Sequence, residues 1–548
     1  MNIMQQKIQQ IFSSHNNLHR DIDRATLIEH SIANRETIIT ASGALARWTP
    51  LPSTGRSPQD TYIVRHNASE HAIDWGSPNN NAMTPEVFDL LFDDALESLG
   101  VSERVYTINR VLGARASYAL PIEVITTHAF SGLFADSMFR AVPDDISQSI
   151  FVNEGFQILV LPYKKVDAEI YGEGLRRRDG KLSEMVIAMD MDRRICLVMG
   201  SEYCGAIKKT MFTVMNYLLP SKGILPLHSS AIIDEKNNTS LMLGLSGTGK
   251  TTLSNDPRRL FIGDDEHGWS DEGIANFENG CYAKLIHLDK EKEPEIYHAL
   301  FDERPTKNNG CLIENAMAYP DGSFDLDDDR YTENSRGSFP ISFLARKKED
   351  ACSGHPSTIL FLTADAHGVL PPIAKLTKEQ SLFWFLMGYT CKLAGTETGV
   401  TAPVTTFSRF FGQPFMPRQP MDYISLFDQY IEKYNPRIYL VNTGWSGGPY
   451  GIGKRMEITL TRALVDAALS GELEKSEYRI DPQFHILVPL SASGIDARVL
   501  DARATWSDQK NYDAQAKTLA QEFQNHFEKS FSHSIRDQRI LAACPAPF

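Results

Sequence analysis

The sequence predicts an α/β protein with at least two domains, and three observations lead to this prediction. Short apolar runs typical of strands alternate with longer stretches of helical character. A glycine-rich phosphate-binding motif follows a strand-like run and precedes a helix start near the middle of the chain. The length of 548 residues fits two large α/β domains, since a domain has roughly 150 residues on average.

The alternation is clearest in the first half of the chain. Residues 62–64, 121–125 and 156–161 are predicted strands, and residues 85–99 are a predicted helix. Pro220, Gly223 and Pro226 then interrupt the pattern, and glycine-rich loops become frequent. We therefore predict an N-terminal α/β domain of residues 1–223 and a C-terminal domain of residues 224–548.

Composition narrows the class of protein. With 55 basic and 69 acidic residues the formal net charge is −14, which argues against nucleic acid or an anionic membrane as the main partner. No run reaches the roughly 18 apolar residues of a membrane helix, and the N-terminus has no signal-peptide pattern. The seven cysteines are scattered without a CxxC pair. We expect a cytoplasmic protein with reduced cysteines.

Residues 244–251 read GLSGTGKT and match the P-loop pattern G-x-x-x-x-G-K-[ST]. The glycines allow consecutive backbone N–H groups to point at one phosphate. Lys250 supplies a positive charge, and the Thr251 hydroxyl is a ligand suited to Mg²⁺. The motif therefore predicts a nucleotide-binding loop.

The segment after this loop is unusual for a P-loop protein. The run 255–257, Asn-Asp-Pro, ends the helix after little more than one turn. An apolar run at 260–263 then leads directly to Asp264 and Asp265, which suits cation binding beside nucleotide phosphates. This order differs from that of a GTPase or a motor protein.

Other polar residues form a second group of candidates. Lys209, His228 and Asp265 could together offer two nitrogens and a carboxylate to a transition metal. Taken singly, the adjacent Lys208 and Lys209 are typical of a solvent-facing pair, and a lone histidine is more often structural. Spacing alone does not select between these interpretations.

Three arginines follow turn-rich sequence: Arg56, Arg336 and Arg455. Guanidinium groups bind carboxylates and phosphoryl oxygens in a fork geometry, so three of them fit a site where both meet. Each alone is more typical of a surface arginine.

These motifs together resemble the ATP-dependent phosphoenolpyruvate carboxykinases. The resemblance extends from about residue 54 to residue 462 and rests on TGRSP, YCGAIKK, LHSSA, GLSGTGKTTL, FIGDDEHGW, CYAKLIHLDKEKEPEIY, TENSRGSFP and NTGWSGGPYGIGKR. The phosphate loop is similar to that of the ATP-using class, because the GTP-using class carries a cysteine there.

The resemblance implies a two-domain mixed α/β fold with a P-loop mononucleotide-binding C-terminal domain and an active-site cleft between the domains. It implies a carboxy-lyase of gluconeogenesis that converts oxaloacetate and ATP reversibly to phosphoenolpyruvate, ADP and CO₂. An enolate stabilised by Mn²⁺ would attack the γ-phosphate of ATP. Residues from about 394 to 403 resemble the family's mobile lid.

The resemblance also implies roles for single residues. Arg56, Tyr203 and Lys209 would bind oxaloacetate, and Lys250 and Arg336 would contact the transferring phosphoryl group. Lys209, His228 and Asp265 would hold Mn²⁺, whereas Thr251 and Asp264 would serve Mg²⁺. The nucleotide set would comprise Gly244, Ser246, Gly247, Thr248, Gly249, Lys250, Thr251, Thr252, Lys208, Glu293, Arg336, Arg455, Met456 and Thr461.

Two departures from the family pattern fall on or near the lid. Alanine at 402 stands where a glutamate is common, and Arg409 replaces a small residue.

Two alternative functions stay open: a catalytically inactive nucleotide-binding regulatory relative, and a phosphotransferase of the HPr kinase type. No coiled-coil heptads are visible, and we favour a monomer.

Overall fold

The computed structural model describes residues 3–178, 181–245, 247–392 and 403–545. The chain divides into two compact units. The first unit comprises Met1–Leu218, Ala275–Asp350 and Pro414–Arg418, and the second comprises Leu219–Ile274, Ala351–Gln413 and Gln419–Phe548. The sequence placed residues 275–350 and 414–418 in the C-terminal domain, whereas here they pack with the first unit. The reason is long-range strand pairing, since Leu312–Glu314 pairs in parallel with Leu45–Arg47.

The first unit contains a mixed sheet of eight strands. In spatial order these are Leu18–Arg20, Val105–Leu112, Leu120–Thr126, Phe156–Leu161, Ile195–Met199, Val186–Asp190, Thr61–Val64 and Asn81–Met83. The central strands are buried along almost their whole length, as strands covered on both faces are. The sheet is therefore the core of this unit.

A second sheet of the first unit has five strands: Gly280–Lys284, Arg336–Pro340, Leu312–Glu314, Leu45–Arg47 and Ile38–Ile39. Two small hairpins pair Arg177–Arg178 with Lys181–Leu182 and Met317–Ala318 with Phe324–Asp325. The α-helices are Ile3–Ser14, Arg24–Ala33, Pro85–Val101, Ala129–Met138, Ala168–Tyr171, Gly205–Leu218, Pro294–Phe301 and Thr306–Asn309. The five-stranded sheet matters for the site, because the candidate residue Arg336 begins one of its strands.

The second unit is built on a sheet of eleven strands. Ten of them lie in the order Cys352–Ser353, Gly273–Asn276, Glu266–Ser270, Leu225–Ile233, Thr239–Leu243, Pro356–Thr363, Arg437–Asn442, Ile373–Lys375, Leu487–Pro489 and Tyr478–Ile480. The eleventh, Leu260–Gly263, also pairs with Leu225–Ile233. Short hairpins pair Tyr389–Lys392 with Val404–Phe407 and Trp445–Ser446 with Lys454–Arg455.

The helices of the second unit are Lys250–Ser254, Lys378–Met387, Pro420–Tyr434, Ile458–Leu469, Ala497–Leu500, Ala502–Thr505, Gln509–Phe531 and Gln538–Ala542. Lys378–Met387 is buried from its third residue to its last. Among the described residues, no helix combines the length and the apolar character that crossing a membrane requires.

The structure confirms a mixed α/β class and the strands and helices that the sequence predicted with strong periodicity. The predicted strand at 156–161 has those bounds, and the helix predicted at 85–99 extends to Val101. It begins with an N-cap at Thr84, whose side chain accepts a hydrogen bond from the Val87 N–H, and has proline at its first position. Local sequence therefore determines these elements.

His128 gives the first unit a pH-dependent contribution to stability. The imidazole is buried, and burial together with the charge of Arg47 holds its pKa well below 6.5. The unfolded chain then binds a proton that the folded chain does not, so this contribution is complete above pH 6.5 and is lost as the pH falls below it. We expect the melting temperature of the wild type to fall more steeply from pH 7 to pH 5 than that of His128→Asn. Equal slopes in thermal unfolding would contradict this assignment.

Candidate active site

The P-loop begins where the strand Thr239–Leu243 ends and leads into the helix Lys250–Ser254. Gly247 and Gly249 have φ angles of +83° and +97°, in the left-handed region that glycine adopts at low cost. Gly249 is the N-cap of the helix, so the positive end of the helix faces the loop. The described residues of the loop thus have the strand, the glycine conformations and the helix start that the motif predicted.

Substitution of Gly249 tests the loop conformation. In Gly249→Ala the added methyl group meets only Leu253, at 3.8 Å, which is an ordinary contact. The loss of stability therefore comes from the positive φ angle, which alanine adopts at a cost, and not from a steric clash. We expect a loss of about 1–2 kcal/mol in the free energy of unfolding and an increased KM for ATP. Gly223→Ala is the matched control, because Gly223 has φ +75° and open space around it. An equal effect of both variants on the KM for ATP would contradict a role of the loop in nucleotide binding.

Strand pairing brings His228 and Asp265 to the P-loop. The strand Leu225–Ile233 runs antiparallel to the P-loop strand with Ser229 opposite Leu243, so His228 lies one residue beyond that strand's end. On its other side the same strand pairs with Glu266–Ser270, with His228 opposite Glu266. The Ser229 N–H also donates to the Asp265 carbonyl at 2.9 Å. The two residues meet because His228 belongs to this strand and Asp265 directly precedes the strand paired with it.

The side chains of His228, Lys250 and Asp265 converge. His228 Nε2 lies 2.9 Å from Asp265 Oδ1, and Lys250 Nζ lies 3.3 Å from the same oxygen. Lys250 Nζ is also 3.4 Å from His228 Nε2. His228 and Lys250 are each only 8% exposed. A buried cation, a buried imidazole and a partly buried carboxylate, 19% exposed, therefore meet beside the phosphate loop.

The other ring nitrogen of His228 has a fixed partner. Nδ1 lies 2.6 Å from the carbonyl oxygen of Phe411, and a carbonyl only accepts, so Nδ1 carries hydrogen. In the neutral ring the lone pair is then on Nε2, facing the Asp265 carboxylate. An imidazole nitrogen and a carboxylate oxygen are both ligands that divalent metal ions take, so the chemistry of this pair suits such an ion. Sequence reasoning did not find the contribution of Phe411, because a backbone carbonyl leaves no motif.

Of the predicted adenine-side residues, Arg455 contacts the P-loop directly. The Arg455 guanidinium donates to the carbonyl oxygens of Gly247 and Thr443, each at 3.2 Å. The Met456 N–H donates to the Gly444 carbonyl at 2.8 Å, next to Thr443. Thr461 is buried in the helix Ile458–Leu469 that follows. Arg462, one residue on, donates to the Thr252 carbonyl at 3.3 Å.

In the first unit, Arg56 and Lys209 are neighbours on one aromatic ring. The Arg56 guanidinium carbon lies 4.8 Å from the ring centroid of Phe415, and Lys209 Nζ lies 4.6 Å from it. The ring faces of aromatic residues attract cations. The structure thus brings together two of the three residues predicted to bind oxaloacetate.

A second aromatic ring connects Tyr203 and Arg336. The Tyr282 centroid is 5.9 Å from that of Tyr203 and 5.7 Å from the Arg336 guanidinium carbon.

Two further residues predicted for the nucleotide also lie in the first unit. Lys208 forms a buried ion pair with Glu278 at 2.8 Å. Glu293 precedes the helix Pro294–Phe301, and its carbonyl accepts from the Tyr297 N–H.

Lys284 was not among the site residues that the family resemblance implied. It lies directly opposite Arg336 in the strand pair of Gly280–Lys284 with Arg336–Pro340. Burial and then the charge of Arg336 lower its pKa. Lys284 lies in the motif CYAKLIHL, which is part of the family resemblance. The sequence therefore pointed to this segment, but no role was assigned to the lysine.

Several predictions are beyond what the structure describes or tests. Ser246 and residues 394–402 of the lid lie outside the described residues. Lys209 belongs to the first unit, and His228 and Asp265 belong to the second. The three-residue Mn²⁺ set and the Mg²⁺ roles of Thr251 and Asp264 stay predictions.

Comparison with known proteins decides the family. The family model for phosphoenolpyruvate carboxykinase matches residues 16–498. The chain belongs to this family. A phosphoenolpyruvate carboxykinase (ATP) from Geobacillus kaustophilus (strain HTA426) is 44% identical over 516 residues, covering 94% of each chain. Carboxykinases of the same name from Rhizobium rhizogenes and Thermus thermophilus are each 45% identical, covering 93% and 92% of this chain and 92% of their own. The carboxykinase resemblance of the motifs is therefore confirmed over nearly the whole chain.

Proposed function

We propose that this protein catalyses the ATP-dependent decarboxylation and phosphorylation of oxaloacetate to phosphoenolpyruvate, ADP and CO₂. The relatives that it matches over more than 90% of its length are named phosphoenolpyruvate carboxykinase (ATP). The observation that carries the proposal is the convergence of Lys250, His228 and Asp265 beside a P-loop. A P-loop alone would fit many nucleotide-binding proteins, whereas these three converging side chains suit phosphoryl transfer next to a divalent ion.

The nucleotide would bind along the loop from Gly244 to Thr252. Backbone N–H groups of the loop and the start of the helix Lys250–Ser254 would contact the phosphates. The Thr251 hydroxyl, with Asp264 nearby in sequence, would serve Mg²⁺. Arg455, Met456 and Thr461 would flank the adenine, and Glu293 and Lys208 would complete the nucleotide set.

Oxaloacetate would bind to Arg56, Tyr203 and Lys209. The two cations that share the Phe415 ring fit a dianionic substrate. Loss of CO₂ from oxaloacetate leaves an enolate, whose oxygen needs positive charge that is already in place. The enolate oxygen would then attack the γ-phosphorus of ATP, while Lys250 and Arg336 neutralise charge on the transferring group.

His228 and Asp265, with Lys209, would hold a divalent ion of the Mn²⁺ type. When bound, this ion supplies Lewis-acid stabilisation of developing negative charge. Phe411 contributes by fixing the proton of His228 on Nδ1, which leaves Nε2 for the ion. Residues 394–403 would act as the lid that keeps water away, since water would protonate the enolate to pyruvate.

The division of labour follows the two units. Residues of the first unit would bind oxaloacetate, and the P-loop of the second unit would bind the nucleotide together with Lys208, Glu293 and Arg336 of the first unit. The cleft between domains would hold the reaction. We further propose that the enzyme works as a monomer in the cytoplasm. Its partners are then small molecules only.

An assay of purified protein tests the proposed function. Oxaloacetate, ATP, Mg²⁺ and Mn²⁺ are supplied, and phosphoenolpyruvate and ADP are followed together, with GTP as the comparison nucleotide. We expect the two products in equal amounts with ATP and little product with GTP. ATP binding without phosphoenolpyruvate formation would contradict the proposal and favour an inactive regulatory relative.

A further inference from the structure

The buried carboxylate of Glu314 is at the centre of a hydrogen-bond network in the first unit. Its Oε1 accepts from Arg47 Nη2 at 3.0 Å and from Arg47 Nε at 3.3 Å. Its Oε2 accepts from the Tyr282 hydroxyl at 2.5 Å. The Cys204 N–H is 3.4 Å from Oε1. Glu314 is 1% exposed and Arg47 is 5% exposed, so this network lies away from solvent.

Strand register explains why these groups meet. Glu314 ends the strand Leu312–Glu314 and stands opposite Arg47 on one neighbouring strand and opposite Arg336 on the other. Arg47 also packs its guanidinium carbon 4.3 Å from the centroid of the Phe130 ring. The ion pair is therefore built into the sheet rather than formed by mobile surface chains.

The network fixes the backbone on both sides of Tyr203. Arg47 Nη2 donates to the carbonyl of Glu202, the residue before it, and Glu314 accepts from the N–H of Cys204, the residue after it. Gly205 then leaves room for the Tyr203 side chain, because a Cβ there would lie 2.4 and 2.5 Å from ring carbons and 2.7 Å from the hydroxyl oxygen. The ring itself is buried at 4% exposure. Tyr203 thus has little freedom to move.

The same carboxylate orients Tyr282. Its hydroxyl is held by Glu314, and its ring contacts Tyr203 and lies under Arg336. One buried carboxylate therefore positions Tyr203 in two ways, through the backbone on either side of it and through the Tyr282 ring that it contacts. Arg336 is held separately, because its guanidinium donates to Asn334 Oδ1 at 3.0 and 2.8 Å.

We propose that Glu314 is a positioning residue for the oxaloacetate site and that it acts through Arg47 and Tyr282. The inference rests on the proposed function, because that function assigns Tyr203 to oxaloacetate. Glu314 touches no substrate in this scheme. Its effect is to fix the geometry in which Tyr203 meets oxaloacetate.

The test compares Glu314→Gln with a matched control, Asp190→Asn. Asp190 is also a fully buried carboxylate of the first unit that pairs with an arginine, Arg193 at 2.5 Å, and among the described residues its hydrogen-bond partners are Arg193 and His66, neither of them a candidate site residue. We expect Glu314→Gln to raise the KM for oxaloacetate about tenfold, the effect of losing one charge-assisted hydrogen bond, and to leave the KM for ATP within about twofold. Asp190→Asn lowers the melting temperature and changes neither KM.

The direction in which the KM for oxaloacetate changes in Glu314→Gln separates a positioning role from a purely electrostatic one. Glu314 stands opposite Arg336, so removal of its negative charge would by electrostatics alone favour an anionic substrate and lower the KM. A rise in the KM for oxaloacetate would therefore show that the residues of the site have lost their positions. If the KM values for oxaloacetate and ATP rise together, or neither changes, the proposal is wrong.

A second variant covers the case in which Glu314→Gln does not fold. Tyr282→Phe keeps the ring and the ion pair and removes only the hydroxyl bond to Glu314. We expect about a threefold rise in the KM for oxaloacetate, and an unchanged KM would overturn the proposal. Failure of the proposed function is separately visible, because the wild type would then form no phosphoenolpyruvate from oxaloacetate and ATP.

Discussion

Lys250→Ala is expected to reduce the rate of phosphoenolpyruvate formation by about a thousandfold or more, a loss at the upper end of that seen when one oxyanion-stabilising donor is removed. Lys250 Nζ is the positive charge that the structure places between the phosphate loop and the Asp265 carboxylate, at 3.3 Å from Oδ1. In the transition state the γ-phosphoryl group develops charge that no other side chain of the loop can balance.

The control for this variant is Lys433→Ala, which removes an exposed lysine of the same unit that pairs with Asp271. We expect it to keep wild-type turnover. Thermal unfolding of both variants shows whether the fold is retained. Turnover of Lys250→Ala within about fivefold of the wild type would refute the assigned role.

His228→Gln is expected to weaken Mn²⁺ binding by about 10- to 100-fold, which is the scale of losses at metal-ligand shells. The substitution removes Nε2, which faces Asp265 at 2.9 Å, and the Nδ1 hydrogen bond to Phe411. The KM for the Mg²⁺ complex of ATP should change little. Electron paramagnetic resonance of free Mn²⁺ gives the binding constant directly, and activation by Mn²⁺ gives a second, kinetic measure.

The matched control is His533→Gln, since His533 is an exposed histidine near the end of the described chain. It should bind Mn²⁺ as the wild type does. Wild-type Mn²⁺ binding by His228→Gln, with Mn²⁺ activation preserved, would show that the ion binds elsewhere.

Local sequence determined the elements but not how they assemble. The strand at 156–161 and the helix from Pro85 follow from apolar periodicity, a Thr84 cap and a proline at the first helical position. The inclusion of residues 275–350 in the first unit depends on pairing between Leu312–Glu314 and Leu45–Arg47. Such pairing joins segments more than 250 residues apart along the chain, so no local pattern reveals it.

In the candidate site, too, local motifs predicted some residues, whereas others depend on how distant segments assemble. The P-loop motif predicted Lys250, because the chemistry of phosphate binding requires those residue types in that order. Phe411 was not predicted, since its carbonyl rather than its side chain contacts His228. Glu314 was not predicted either, because a buried carboxylate resembles any other glutamate in a sequence. Its importance becomes visible only when the register places it opposite Arg47 and Arg336.

The most direct test of the central claim follows the γ-phosphoryl group itself. Purified protein is supplied with oxaloacetate and ATP labelled with ³²P at the γ-position, and the label is traced to phosphoenolpyruvate or to inorganic phosphate. We expect the label in phosphoenolpyruvate, in amounts equal to the CO₂ released, and only when oxaloacetate is present. Label in inorganic phosphate with pyruvate as the carbon product would contradict transfer to the enolate.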